Sequence, residues 1–240
     1  MPRLFVPQSL TPDETLELTA DAAAHARALR LRPGDPVTLF NGAGGEHPSE
    51  VTAVERRRVA VRVGAHHAVE RELPVPVQLL QAVGKGERMD TAVEKATELG
   101  VAEIVPVLTE RTVVRLDDPR RAAKRQRHWA AVARSACEQC GRNTPPRIAE
   151  PVALRQAWQQ AADYPLRLTL DPLAAPRLSS LAGGQATALL IGPEGGLSPA
   201  ELEAAAASGF QRGRMGPRVL RTETAAAAAL AAIGVALGEL

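Results

Sequence analysis

The hydrophobic pattern of this 240-residue chain changes its period once, near Leu73-Pro74-Val75-Pro76, and that change limits the architectures open to it. Before it, short β-type runs alternate with turn chemistry: residues 36–40 (PVTLF), Asn41-Gly42-Ala43-Gly44-Gly45, residues 50–54, Arg56-Arg57-Arg58 and residues 59–63. Asn-Gly and Gly-Gly pairs between apolar runs mark hairpins. One helix is expected among them, from Asp21 as N-cap to Leu31, stopped by Pro33-Gly34. Residues 1–72 therefore read as a small β-barrel carrying one helix. The two prolines that follow resist both helix and central strand and read as a linker.

Beyond the linker, strands alternate with helices. Residues 77–83 form a buried-type strand, and Met89, Ala92, Val93, Ala96 and Leu99 recur at helical spacing, with Gly100 where a C-cap belongs. Further strands are expected at 102–108, 166–170, 188–191 and 211–215, and helices at 119–139 and 154–162, with an Ala-rich helix near the C-terminus. This order predicts an α/β domain over residues 73–240, built on a mainly parallel sheet covered on both faces.

Composition narrows the function classes. Three Phe, two Trp and one Tyr stand against 44 Ala, so aliphatic packing must make the core, and base stacking on an aromatic sheet is disfavoured. Basic and acidic residues nearly cancel, at 29 against 27, yet 26 of the cations are arginines. The local balance differs: from Arg111 to Arg147 ten cations face three acids, and Arg120, Arg121, Lys124, Arg125, Arg127 and Arg134 recur along one expected helix. Phosphate contact and a solvated helix face are both open readings. His25, Arg27, Arg30 and Arg32 cluster on or just after the first helix, as in a clamp for an RNA backbone. No apolar run is long enough to cross a membrane, and the start MPRLFVPQSL has no apolar secretory core, so a cytoplasmic location is expected.

Two segments carry unusual residues where α/β sheets bind ligands, beyond strand carboxyl ends. In Leu189-Leu190-Ile191-Gly192-Pro193-Glu194-Gly195-Gly196-Leu197-Ser198-Pro199-Ala200-Glu201 a buried strand enters a glycine-rich turn, followed by a Ser198/Glu201 capping box with Pro199 at the first helical position. In Met215-Gly216-Pro217-Arg218-Val219-Leu220-Arg221-Thr222-Glu223-Thr224 two arginines, a glutamate and two threonines join a strand to a helix. A P-loop is missing, and Gly84-Lys85-Gly86-Glu87-Arg88-Met89 lacks the third glycine of a dinucleotide fingerprint. Cys137-x-x-Cys140 has no second cysteine pair and the five histidines have no ligand spacing, so no metal is expected.

The segments HARALRLRPGD, GKGERMDTAVEKATELGV, ACEQCGR, LLIGPEGGLSPAE and MGPRVLRTETA, in this order, closely resemble the RsmE family of bacterial uracil-N3 methyltransferases acting on small-subunit ribosomal RNA. The resemblance covers nearly the whole chain. It implies a PUA-like RNA-binding β-barrel over residues 1–72 and a SPOUT α/β methyltransferase domain over residues 73–240 with a deep trefoil knot. It further implies a homodimer that uses S-adenosylmethionine and acts on 16S ribosomal RNA or the assembled small subunit.

Carried onto this chain, the cofactor residues are Leu170, Asp171, Ile191, Gly192, Pro193, Glu194, Gly195, Gly196, Met215, Gly216, Val219, Leu220, Thr222 and Thr224. Methyl transfer to uracil N3 requires that its proton leave, and the ring anion this makes needs stabilising until it takes the methyl group. Arg221 is the candidate for holding the carbonyls and that charge, and Glu194 and Glu223 for accepting the proton or fixing Arg221. RNA contacts are expected of His25, Arg27, Arg30, Arg32, Lys85, Arg111, Arg115 and Arg142. A non-catalytic RNA-binding or ribosome-assembly protein is the competing reading, and phosphate binding at the helix following the Gly192 turn is a third.

Overall fold

The computed structural model describes residues 1–56, 58–116 and 118–240, and the chain divides into two units, residues 1–72 with 134–145 and residues 73–133 with 146–240. In the first, β1 (Arg3–Phe5), β2 (Thr15–Glu17), β3 (Pro36–Phe40), β4 (His47–Val54) and β5 (Val59–Arg62) form one sheet in the order β1-β3-β4-β5-β2, with α1 (Ala20–Ala28) beside it. The meander expected from the turns is present as the antiparallel pairs β3/β4 and β4/β5. Gly42, Gly44 and Gly45 all take positive φ in the first of these connections, which explains the density of glycine there. Arg57, expected in the second connection, lies outside the described residues.

Two edge strands are additions, β1 running parallel to β3 and β2 antiparallel to β5. Three residues are too few to show an alternating pattern, so sequence periodicity passes over both. The ladders run from β1 at one edge to β2 at the other. Leu4, Val37, Leu39, Val51, Val59 and Val61 pack with Ala22, Ala23 and Ala26 of α1 as this unit's core. The helix starts one residue earlier than its expected cap, after Thr19, so Asp21 lies in the first turn instead of capping it.

The second unit is the alternating α/β domain. Its strands are β6 (Val77–Ala82), β7 (Glu103–Leu108), β8 (Arg147–Ile148), β9 (Val152–Ala153), β10 (Leu166–Leu170), β11 (Thr187–Ile191) and β12 (Gln211–Gly213), and every ladder between them is parallel. The order is β12-β10-β11-β6-β7-β8, with β9 also on β7. Its helices are α2 (Arg88–Glu98), α3 (Pro119–Cys140), α4 (Leu154–Gln160), α5 (Leu178–Leu181), α6 (Pro199–Ala207) and α7 (Thr222–Leu237). Side chains alternate across β6: Val77 and Leu79 join one core with Met89, Val93, Trp129, Leu178, Leu230 and Ile233, while Leu80 joins another with Leu154, Ala157, Ala205 and Phe210. Both faces are covered, as an all-parallel sheet requires.

The last turns of α3 and the following residues pack with the first unit, although the sequence alone leaves them with the second. Glu138 accepts from the Phe5 amide at 2.9 Å, and its other oxygen lies 2.9 Å from His25 Nδ1. Arg3 donates to Glu46 and to Asn143, whose own amide donates to the Val69 carbonyl. Arg142 is 2% exposed and pairs with Glu72 through two nitrogens. It is therefore a structural cation of this unit, and the expectation that it contacts RNA is corrected: a buried, carboxylate-bound guanidinium has no face left for phosphate. His25 also faces Glu138, but its side chain stays 34% exposed.

Candidate active site

Four adjacent parallel strands, β12, β10, β11 and β6, bring their carboxyl ends to one edge of the sheet, and the connections leaving them enclose a cleft of about 400 Å³. That volume suits a small-molecule ligand, and the position is the one open α/β sheets use. Leu170, Asp171 and Pro172 line it from the end of β10, residues 191–194, 196 and 197 from β11, residues 213, 215, 216 and 218–222 from β12, and Arg88 from the connection after β6. Leu170, Ile191, Leu197, Leu202, Met215, Val219, Leu220 and Ala225 give the wall its aliphatic part.

The Gly192 turn is held from several sides. Pro199 opens α6, Ser198 Oγ accepts from the Glu201 amide at 3.3 Å and Glu201 returns a carboxylate oxygen to the Ser198 amide at 2.8 Å, the expected capping box. The other Glu201 oxygen accepts from the Glu110 amide at 2.8 Å. This carboxylate sits where a phosphate at the start of α6 would need to lie, so the phosphate-binding reading is displaced. Gly196, with φ +69, donates to the Pro193 carbonyl at 2.8 Å and lines the cleft in a conformation a side chain disfavours.

Gly195 behaves differently. It is outside the cleft lining, and a Cβ there would meet the aliphatic stem of Arg111 at 3.5 Å, an ordinary contact. Arg111 itself donates to the Gly195 carbonyl at 2.7 Å, bracing the turn from outside.

The cleft's two connections from β11 and β12 are tied together inside the protein. Thr222, the first residue of α7, donates its hydroxyl to the Gly192 carbonyl at 2.7 Å and accepts from Gln81 Nε2 at 2.9 Å. Gln81 is 1% exposed near the end of the central strand β6, and its amide also donates to the Ala82 carbonyl. This buried chain was invisible in the sequence, where Gln81 read only as one polar residue within an apolar strand.

Glu194 accepts from the Lys85 amide at 3.1 Å and from Arg88 Nη1 at 2.5 Å. Burial pushes its carboxyl up, but its own backbone amide, that of Lys85 and the Arg88 guanidinium outweigh this and hold it below the usual range. A carboxylate so bound is a weak proton acceptor. Asp171 accepts from the Leu173 amide at 2.9 Å and stands 3.4 Å from Arg212 Nη1, which fixes the turn after β10. Arg218 and Arg221 line the cleft with exposed side chains and have no ion pair among the described residues.

Twelve of the fourteen cofactor residues expected from the resemblance line this cleft. Gly195 and Thr224 do not, and neither does Glu223, whose Oε2 is buried without a hydrogen-bond partner among the described residues. The cleft also contains Arg88, Pro172, Leu197, Leu202, Gly213, Arg218 and Ala225, which were not among the expected site residues. Arg88 has a usable signal: it follows a glycine-rich turn at the carboxyl end of a strand, in a segment that carries the resemblance and the RNA-contact expectation for Lys85 but from which no cofactor-site residue is expected. Lys85, Arg111 and Arg115 are exposed, as RNA contacts would need, and so are Arg30 and Arg32; Arg27 is half-buried. Cys137 is buried, and its hydrogen bond with Cys140 and its burial push the thiol up against the opposing charge of Arg142, so it is no ready thiolate. No group of three or more His, Cys, Asp or Glu suited to a metal occurs, and no helix is long and apolar enough to cross a membrane, among the described residues.

Comparison with known proteins joins these observations. An RNA methyltransferase domain family matches residues 71–234, and an RNA methyltransferase PUA domain family matches residues 18–64. The ribosomal RNA small subunit methyltransferase E of Mycobacterium tuberculosis is 36% identical over 222 residues, covering 90% of this chain and 84% of that one; the Bacillus subtilis protein of the same name is 31% identical over 246, covering 97% and 96%. A Legionella pneumophila protein solved with SAM bound superposes with TM-score 0.93 at 39% identity, covering 98% of this chain and 97% of its own. The ribosomal RNA small subunit methyltransferase E of Neisseria gonorrhoeae, also solved with S-adenosyl methionine, gives 0.89 at 36% identity over the same shares. With a methyltransferase domain, a PUA domain and near-full-length relatives all converging, this chain belongs to the ribosomal RNA small subunit methyltransferase E family.

Proposed function

We propose that this chain transfers a methyl group from S-adenosylmethionine to N3 of one uridine in 16S ribosomal RNA. It acts as a cytoplasmic homodimer without a metal, with residues 1–72 as a PUA-like RNA-binding barrel and residues 73–240 as a SPOUT domain threaded in a trefoil knot. The observation that carries the reading is the cleft at the carboxyl ends of β10, β11 and β12. Its walls suit the cofactor: aliphatic faces at Leu170, Ile191 and Leu220 for a flat heterocycle, backbone edges in the Gly192 and Gly216 turns for its polar rim, and open approach at Gly196. S-adenosylmethionine, when bound, supplies a methyl group on a positively charged sulfur.

The chain's own part is to hold and polarise the acceptor base. Arg221, at the start of α7 and facing the cleft, receives the uracil carbonyls and the negative charge that grows on the ring. Of the two carboxylates expected to take the N3 proton, Glu194 is bound by Arg88 and the Lys85 amide and acts as a positioning residue, while Glu223 is outside the cleft lining. The proton therefore leaves to solvent through the open mouth, with Arg221 stabilising the anion. Arg221→Ala leaves cofactor affinity within about twofold while cutting methylation at least tenfold, about 1.4 kcal/mol of lost stabilisation; unchanged methylation removes Arg221 from the reaction. For the function as a whole, reverse transcription across 16S RNA from a strain lacking the protein loses one N3-methyl stop, which complementation restores. An unchanged stop pattern refutes the reading.

A further inference from the structure

The first turns of α3 carry Arg120, Arg121, Lys124, Arg125 and Arg127, all exposed, and none has an ion pair among the described residues. At 100° per residue the five fan over about 160° of the helix and span about 10 Å along it. The helix is anchored outside this arc by Trp129, whose Nε1 donates to Asp90 at 3.1 Å, and by Gln126, which donates to the Ile148 carbonyl at 2.9 Å; His128, within the arc, lies 2.8 Å through Nε2 from the other Asp90 oxygen. Asp90 belongs to α2, whose first residue, Arg88, lines the cleft. The patch and the active-site cleft are thus parts of one rigidly joined unit. Arg134 is excluded from the patch, because its guanidinium lies over the Phe5 ring, 5.7 Å from the centroid.

A solvated helix face normally interleaves acids three or four residues from its cations. Residues 119–134 contain no Asp or Glu. Arg120/Lys124 and Arg121/Arg125 are like-charge pairs at i,i+4, and the first turn puts two arginines at the positive end of the helix dipole, where the Asp118 carboxylate just before the helix accepts from the Arg120 amide at 2.9 Å. Each choice weakens the free helix. A general preference for Arg over Lys accounts for the kind of cation, not for the exclusion of acids.

We infer that this face of α3 binds the phosphodiester backbone of the substrate RNA, holding it by charge and shape while the cleft takes the target base. The inference rests on the reading that the chain acts on ribosomal RNA, and names a contact surface for it separate from the PUA-like domain. A planar guanidinium pairs with two phosphate oxygens at once, and several across an arc fit a curved backbone.

The test uses the full chain and purified unmethylated 16S RNA, with the variant Arg121→Gln/Lys124→Gln/Arg125→Gln. Glutamine keeps helix propensity, so helix content and cofactor affinity report an intact fold. Between about 50 and about 200 mM salt, removing three phosphate contacts flattens the dependence of log affinity on log salt by about two to three, and affinity falls at least roughly tenfold. The KM for RNA rises accordingly. Arg155→Gln/Arg177→Gln, two exposed cations elsewhere in the unit, leaves the slope within about 0.5 of wild type. A triple variant with the wild-type slope overturns the inference. So does a variant that binds naked RNA normally but fails on assembled subunits, because the partner is then a ribosomal protein. Wild-type chain that neither binds nor methylates 16S RNA instead refutes the proposed function itself, before any variant is made.

Discussion

Thr222→Val removes one hydroxyl and leaves the side-chain volume almost unchanged, and its expected effect follows from two distances. Thr222 Oγ1 donates to the Gly192 carbonyl at 2.7 Å and accepts from Gln81 Nε2 at 2.9 Å, and the residue is 5% exposed. Each lost bond costs about 1 kcal/mol net. The Gln81 amide keeps its bond to the Ala82 carbonyl, so only the Gly192 carbonyl risks being stranded, and the sum is about 2–3 kcal/mol. For a chain of this size that is a drop in Tm of about 4–10 °C. Urea unfolding followed by tryptophan fluorescence reads it cleanly, because Trp129 and Trp158, the two tryptophans, both lie in the methyltransferase unit. Calorimetry should show weaker binding of S-adenosylmethionine as the Gly192 turn loosens, and Thr222→Ser should recover most of both effects. In a cycle with Gln81→Met the double variant should lose at least about 0.5 kcal/mol less than the two single losses combined. Stability within about 0.5 kcal/mol of wild type, or strict additivity, refutes the claim that this chain of hydrogen bonds ties the two cofactor turns together.

The two neighbouring glycines should separate sharply: Gly196→Ala, forced to φ +69 at the cleft wall, loses about 1 kcal/mol of stability and at least tenfold in cofactor affinity by calorimetry, whereas Gly195→Ala, facing Arg111, stays within about threefold. Because the Glu194 carboxyl is held below its ordinary value of 4.5, its contribution to stability is complete above that pH and disappears as the pH falls through the lowered value. Urea midpoints of Glu194→Gln should therefore lie below wild type near pH 7 and converge with it in acid. Arg142→Met should destabilise the first unit by about 2–3 kcal/mol, since it strands Glu72, while leaving the salt slope of RNA binding unchanged; proteolysis within residues 1–72 and filter binding check the two halves.

The longer strands and helices of the second unit are legible because each shows its period: β6 has six buried residues, and α2 repeats Met89, Ala92, Val93 and Ala96 on one face; the two-residue β8 and β9 and the four-residue α5 are too short to show one and were not expected. The α6 start was legible in atomic detail, since Ser198, Pro199 and Glu201 interact within four residues of chain. What sequence could not show is long-range. Phe5 and Glu138 are 133 residues apart, and Thr222 and Gln81 are 141 apart, so neither bond leaves a local signature. For the same reason the domain boundary read from Pro74 and Pro76 located the point where the chain changes period, yet gave no sign that residues 134–145 return to the first unit.

The site shows the same division. Residues within glycine-rich turns announced themselves by composition, and the resemblance added their role, but which of those residues face the cleft depends on backbone angles. Gly195 and Gly196 look interchangeable in the sequence; one leans on Arg111 and the other lines the wall. Glu194 and Glu223 looked equivalent as bases until their surroundings were visible. Arg88 binds the first and leaves it a poor acceptor, and the second stands outside the cleft. Under the proposed reaction, with both carboxylates set aside, proton loss from the base is assisted by a cation that stabilises the anion, and among the described residues Arg221 and Arg218 are the cleft-lining cations without a carboxylate partner. On this chemistry the rate should rise with pH toward the ionisation of uracil N3. A plateau set by a carboxylate would instead return the role of base to a glutamate.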